Sequence, residues 1–414
     1  MFPKLRNNSS KMKSLNQKEK HNATKLIAAA TCTKLGDVLV DPKTVLTWLL
    51  AQLGTSGAVI SWLVPIRESG SMLPQLFISG WVKRVKLRKH VFVLGALAQA
   101  IAVAAMGFVA LFAPPTIAGL TMLVAVAFLS VARAFCSISS KDVVGRTIPK
   151  GARGRVGGLS ASISGVISTI AASSLIWVKD DTAVQVLAWV VLGASVLWIL
   201  GSAFYLSVDE TASNPSENDF SSDMLKRLGL VQNDALFRRF IIARMLLLGS
   251  ALGSPLFVIL AGGKVLSLGA FVIASGIAKA TSSVIWGNMA DRSSHLTMSA
   301  GGIIVAITAA LGLALELSSA RILDYPLSWP MVFLIFNIGY AGIRVGRKTW
   351  VIDAAEGDQR TDYVSASNTV IAVAIIVVGA VGSLLQASSP LLLLGTYSGL
   401  CFLGAWVALS LRID

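Results

Sequence analysis

Twelve stretches of mostly apolar residues recur between residues 26 and 411. Each is close to the roughly 20 residues that a helix needs to cross a hydrocarbon core of about 30 Å. Backbone in lipid must satisfy its own hydrogen bonds, so runs of this length and composition can span only as helices. The first two, 26–53 and 58–81, are the most polar, and the tenth, 327–343, is the shortest. Sorting the Lys and Arg of the connections by side gives 27 on one side against three on the other, namely Lys179, Lys264 and Arg321. Basic residues collect on the cytoplasmic side of a membrane, so both chain ends are expected there, in a bacterial inner (plasma) membrane.

Composition narrows the function classes. Of 414 residues 54% are hydrophobic and 14% charged, and the mean hydropathy is +0.72, which few soluble domains match. A net charge of +15 would suit a nucleic-acid-binding protein only if the basic residues formed a patch on a soluble domain. Cys32, Cys136 and Cys401 each lie in an apolar run and offer no disulfide framework. His21, His90 and His295 are isolated at or outside the membrane boundaries, so no metal site or redox cofactor is expected. There is no phosphate-cradling P-loop and no nucleophile–base pair, so neither ATP hydrolysis nor another enzymatic activity is expected.

The expected organisation is a basic cytoplasmic tail (1–25), a six-helix bundle (26–208), a cytoplasmic linker (209–239), a second six-helix bundle (240–411) and a short C-terminus (412–414). The linker begins rich in Ser, Asn and Asp and contains "DMLKRLGLV", which suits a short amphipathic helix on the membrane surface. The two halves share landmarks. "GWVKRVKLRKH" (80–90) answers "GNMADRSSHL" (287–296) at an offset of 207, and "RVGGLSASIS" (155–164) answers "RTDYVSASNT" (360–369) at 205. Parallel repeats of this kind place a substrate site near the midplane, between two halves that rock against each other.

These landmarks resemble the major facilitator superfamily. Its Gly-x-x-x-Asp-Arg loop is similar to "GNMADR", with Gly287, Asp291 and Arg292 matching; in the first copy Gly80 is present, but Arg84 stands where the family has an acidic residue. "PKGARG" (149–154) is similar to the family's Pro-x-x-x-Arg-Gly loop, with Pro149, Arg153 and Gly154 matching. The resemblance implies an all-α membrane protein of twelve transmembrane helices, arranged as two pseudo-symmetric six-helix bundles. It also implies gating roles for Gly80, Arg84, Arg153, Gly287, Asp291 and Arg292. The fifth run has no proline, so the family's Gly-Pro exporter motif is absent; its Gly and Ser residues, and Gly249 with Gly253, are expected to be close-packing surfaces.

Six basic residues fall inside the runs: Lys34, Lys43, Arg67, Arg133, Arg244 and Lys279. Counted from the turn at Gly54 to Gly57, Asp41, Lys43, Arg67 and Glu68 all lie roughly 15–20 Å deep, which suggests Asp41–Arg67 and Lys43–Glu68 pairs. Lys34, Asp37, Asp41, Thr44 and Trp48 share one face of the first run; Glu68, Ser71 and Gln75 share one face of the second. Such stripes are costly against lipid and are expected to face a cavity or to fix the two helices together. Pro42 and Pro65 should bend the helices where the charges sit. Arg133, Arg244 and Lys34 lie nearer the cytoplasm, where long side chains can reach headgroups.

Basic residues outnumber Asp37, Asp41 and Glu68 within the runs, and a positive cleft concentrates anions. The expected function is secondary active transport of a small anionic or zwitterionic organic solute by alternating access. Arg67, Lys43, Trp48, Gln75 and Lys279 are the expected substrate contacts, and Asp41, Glu68 and Asp37 the expected carriers of a coupling ion, with the proton favoured. The protein is expected to work as a monomer among membrane lipids, without nucleic acid. Two alternatives stand beside this: a non-transporting receptor or assembly factor of the same fold, and an efflux pump for amphiphilic cations.

Overall fold

The computed structural model describes residues 16–149, 152–212, 229–354 and 357–412, apart from the side chains of 76, 77, 79, 80, 83, 283, 284 and 357–362. The first half comprises α1 (Gln17–Leu39), α2 (Val45–Gln52), α3 (Gly57–Ile60), α4 (Leu63–Arg84), α5 (Arg88–Phe112), α6 (Pro115–Thr147), α7 (Arg153–Ser173) and α8 (Ala183–Leu206). The second comprises α9 (Ala235–Leu246), α10 (Gly249–Leu252), α11 (Ser254–Leu260), α12 (Val265–Ala290), α13 (Ser294–Leu317), α14 (Ser328–Ala354), α15 (Gly357–Ser388) and α16 (Pro390–Leu409). No strand occurs among the described residues.

Among the described residues, ten spans are long and apolar enough to cross a membrane. The first two expected runs are not among them, for reasons visible in their residues. The first begins early: Asn16 and Glu19 form a reciprocal capping box at 2.8 and 2.9 Å, so residues 17–25, expected as tail, are already helix. It then breaks between α1 and α2, where Pro42 has no N–H to give. The second breaks at Ser61–Trp62. That is one turn before Pro65, whose missing N–H leaves the Ser61 carbonyl without its helical donor. The bend therefore precedes Arg67 and Glu68 rather than falling on them.

Packing repeats from one half to the other. α5 lies against α6 and α8 as α13 lies against α14 and α16, and α4 lies against α6 as α12 lies against α14. Backbones approach closely where glycine allows it. A Cβ on Gly301 of α13 would meet the Gly339 carbonyl oxygen of α14 at 2.6 Å, and one on Gly249 would meet that of Tyr397 in α16 at 3.0 Å. Small residues let helices pack in lipid, where apolar burial by itself gives no preference for a neighbouring helix. In α7 the expectation holds by half. Ser160, Ser164 and Ser168 are buried, on the helix that packs against α1, but a Cβ on Gly158 or Gly165 would meet nothing within 4 Å.

The halves meet through α4 with α15, α7 with α12, and α2 with α11. Among the described residues, two hydrogen bonds join them at the side carrying the turns at 54–57 and 262–264. Ser383 Oγ donates to the Ala58 carbonyl at 2.8 Å, and the Val265 amide donates to Asp180 Oδ1 at 2.9 Å. This turn side is closed. On the opposite side, which carries residues 207–212, the first half is tied internally. The Glu210 carboxylate accepts from the Arg88 and Lys89 amides at 3.1 and 2.8 Å, and Asn22 exchanges two hydrogen bonds with the backbone of Asp209. The amphipathic segment expected at 223–231 lies largely outside the described residues.

Candidate substrate and coupling site

The break between α1 and α2 builds the site. Asp41 Oδ1 accepts from the Lys43 amide at 2.8 Å, and Thr47 Oγ1 donates to the Pro42 carbonyl at 2.7 Å, so side chains satisfy part of the interrupted backbone. Asp41 thus holds the turn and is not the partner of Arg67, as its depth suggested. Helix rotation decides this: Arg67 Nη2 reaches Asp37 Oδ1 at 3.2 Å, one turn earlier on α1. Arg133 of α6 bonds the same Asp37 oxygen, so it serves the interior rather than the headgroups. Two guanidinium groups on one carboxylate leave a local excess of positive charge.

The other expected pair is present. Lys43 Nζ lies 3.8 Å from Glu68 Oε1. It also donates to Tyr340 Oη at 3.3 Å and stands 4.3 Å from the centroid of that ring, a cation–π contact. Tyr340 belongs to α14, so Lys43 joins the two halves at the level of the break. Nothing in the spacing of the first half pointed to Tyr340.

These groups line a cavity of about 300 Å³ between the halves, with Lys279 of α12 and Arg344 of α14 on its other wall. Five cations (Lys43, Arg67, Arg133, Lys279, Arg344) face three carboxylates (Asp37, Asp41, Glu68). Neither Lys279 nor Arg344 forms an ion pair among the described residues. Arg67 Nη1 is buried with no hydrogen-bond partner among the described residues. Sequence reasoning missed Arg344 because it ended the tenth run at residue 343, whereas α14 continues to Ala354. The signal was the hydrophobic residues Ile343, Trp350 and Val351, which at i, i+7 and i+8 keep one helical face through the basic stretch.

Two expected substrate contacts are elsewhere. Trp48 is 2% exposed in the apolar core; the break turns α2 relative to α1, so the stripe counted through Asp41 does not continue to it. Gln75 Nε2 donates to the Ser71 carbonyl of its own helix at 2.7 Å, and the residue does not line the cavity. Arg244 does not reach headgroups either. It is buried, bonded to Ser367 Oγ, and its guanidinium lies 5.7 Å from the Phe240 ring centroid. Lys34 donates to the Gly157 carbonyl and Ser160 Oγ at 2.8 and 2.7 Å and so ties α1 to α7.

A second cavity, about 360 Å³, lies inside the first half and is lined by Gln99, Trp198 and Tyr205 as well as Asp37 and Arg133. Gln99 Oε1, Trp198 Nε1 and Tyr205 Oη are buried without partners among the described residues; a space of this size bordered by polar atoms accommodates water that can satisfy them. Asp37 and Arg133 line this cavity and both cavities between the halves.

The expected gating residues are dispersed. Arg153 Nε donates to the Ile148 carbonyl at 2.8 Å, and its Nη2 bonds the Gly145 carbonyl, so it caps the end of α6. Asp291 follows α12 as its C-cap, with Arg292 next, and a Cβ on Gly287 would meet nothing within 4 Å. Arg84 ends α4 and is exposed; Gly80 lies in the same helix, in a stretch whose side-chain surroundings are outside the description.

The family model for the Major Facilitator Superfamily matches residues 42–379. Among solved structures, a POT family transporter in complex with 5-aminolevulinic acid is similar over 94% of this chain and 95% of its own, at 12% identity and TM-score 0.71. The D-xylose-proton symporter is similar over 95% and 98%, at 11% identity and TM-score 0.69. A bacterial homologue of the iron transporter ferroportin in its inward-facing state is similar over 96% and 99%, at 13% identity and TM-score 0.65. Among curated proteins none matches.

Proposed function

The chain is an integral multi-pass membrane protein that belongs to the major facilitator superfamily, and from that premise we propose that it is a secondary active transporter of an anionic or zwitterionic organic solute. The observation that carries this reading is Arg67. Its Nη1 is buried beside the midplane cavity without a partner among the described residues, and a guanidinium in that condition calls for a carboxylate or phosphate oxygen. Lys279 and Arg344 add positive charge from the opposite half, which makes the alternative of a pump for amphiphilic cations the weaker one.

A substrate anion arriving at Arg67 competes with Asp37 for the same guanidinium. Freed from one of its two cations, Asp37 gains a reason to bind a proton, and Glu68 on Lys43 offers a second site of the same kind. Substrate and proton occupancy are thereby linked. A neighbour in fold is named a D-xylose-proton symporter and another is in complex with 5-aminolevulinic acid, which agrees with this chemistry. The turn side is closed here, so the cavity opens toward the side carrying residues 207–212. With the 27 to 3 bias of basic residues that side is the cytoplasm, and the conformation is inward-facing.

The test begins with a thermal-shift screen of the purified protein against organic anions, amino acids, sugars and amphiphilic cations, since a ligand stabilises the state it binds. Organic anions or zwitterions are expected to stabilise it, and Arg67→Ala to weaken a hit about tenfold or more. In proteoliposomes Asp37→Asn and Glu68→Gln should lose pH-driven accumulation yet retain exchange. Stabilisation by cations alone would sink the substrate assignment. Full pH-driven accumulation in both carboxylate variants would remove them as carriers.

A further inference from the structure

The two walls of the midplane cavity differ in charge. On the first half's wall three cations, Lys43, Arg67 and Arg133, stand with three carboxylates, Asp37, Asp41 and Glu68. The second half's wall carries Lys279 and Arg344 and no carboxylate. The whole excess of two positive charges therefore sits on α12 and α14. Arg344 stands near the Tyr340 ring, its guanidinium carbon 6.0 Å from the centroid, and a ring attracts a cation without cancelling its charge. Both residues also line a larger cavity, about 1150 Å³, between α7 and α12; its lining adds Lys34 but no carboxylate beyond Asp37 and Asp41.

Alternating access makes this excess matter. In the inward-facing form water screens Lys279 and Arg344, but when the halves close over the site that water leaves, and cations without counter-charges become costly. A substrate anion at Arg67 does not relieve them. It takes the place that Asp37 gives up on protonation, so the first wall stays level while the second keeps its excess. A zwitterion leaves the total unchanged, and a monoanion lowers it by one. A second anionic group set against the second wall leaves no net charge with Asp37 ionised and one positive charge with Asp37 protonated.

We propose that the solute carries two separated anionic groups, one held by Arg67 of the first half and the other by Lys279 and Arg344 of the second. This rests on the anion-transport reading and narrows it to small dianions. Arg67 supplies a directed donor, the buried Nη1 without a partner among the described residues, and the second wall supplies charge. A cavity of about 300 Å³ is at the lower end of the roughly 300–1,000 Å³ of small-molecule pockets, which suits a short diacid. Such a solute touches both walls, so closure of the halves depends on both of its ends.

Binding is measured by calorimetry at neutral pH on the full chain in nanodiscs, with malonate, succinate, glutarate and adipate, the monomethyl ester of each, and γ-aminobutyrate. At least one diacid is expected to bind about tenfold or more tightly than its own monoester and than γ-aminobutyrate. The ester keeps the chain and one carboxylate, so the comparison isolates the second charge without a mutation. Lys279→Gln combined with Arg344→Gln should bring that diacid down to the level of its monoester. The monoester, still held at Arg67, should change by less than about threefold, which also reports a folded variant. Equal binding of diacid and monoester, or tighter binding of γ-aminobutyrate, overturns the two-anion assignment and leaves the broader transport reading standing. A diacid preference that survives the double substitution overturns the role of the second wall. If none of the series binds, a hit from the wider anion screen is judged by the same rule, two anionic groups supporting the assignment and one overturning it. A blank screen removes this inference and the anion reading together.

Discussion

Asp37 is the residue on which the charged site turns. Its carboxylate takes both Arg67 and Arg133, and it borders all three cavities. Removing it leaves two guanidinium groups facing one another. Asp37→Ala is expected to destabilise the protein by about 1–3 kcal/mol, below the cost of breaking a fully buried pair because Arg133 is partly solvated; thermal unfolding in detergent checks it. Adding Arg133→Gln to Asp37→Ala should recover part of that loss, since it removes one of the two orphaned charges. The sequence made Asp37 a candidate through its place on a polar stripe, but it also favoured Asp41 as the partner of Arg67. Depth along a helix can be counted from the turn. Azimuth after a proline break cannot, and one turn of α1 separates the two carboxylates.

At the scale of elements, interruptions do as much as helices. The break between α1 and α2 exposes Lys43 to Glu68 and Tyr340 and turns Trp48 into the core. Pro42 and Pro65 announced that both helices would bend, while the displacement of the second bend to Ser61–Trp62 follows from which carbonyl loses its donor. Close contacts between spans are equally specific. Gly301 and Gly339 bring α13 and α14 into backbone contact, so Gly301→Leu forces the helices apart at a cost of about 1–3 kcal/mol or more. A lowered unfolding temperature for Gly301→Leu, with little change for Gly399→Leu where space is open, would bear this out. Equal behaviour of the two variants would count against tight α13–α14 packing. Glycines show why composition alone misleads: Gly249 of α10 marks a contact, Gly165 of α7 marks a void, and the residue type is the same.

The whole molecule is two similar halves whose contact at the turn side closes one face of the membrane protein. Asp180 caps the start of α12 from the other half by accepting the Val265 amide at 2.9 Å, an arrangement favoured by the positive N-terminal end of the helix. Asp180→Ala should cost the closed form about 1 kcal/mol, which shifts the balance with a turn-side-open form by roughly fivefold. Distances between spin labels on the 178–182 and 262–264 turns would report that shift, and an unchanged distribution would mean the bond does not contribute to closure. The sequence by itself determined the helical class, the membrane setting and the duplicated plan, because apolar run length and the sidedness of Lys and Arg are set by the bilayer and not by neighbouring helices. Only the tertiary structure decided which charges meet, that Arg344 and Tyr340 join the first half's network, and that α7 and α12 touch at Gly269 and Ala172 while Gly165 and Gly158 face open space. Those outcomes depend on helix rotation and crossing, which arise from packing between residues hundreds of positions apart, and no local pattern in the chain records them.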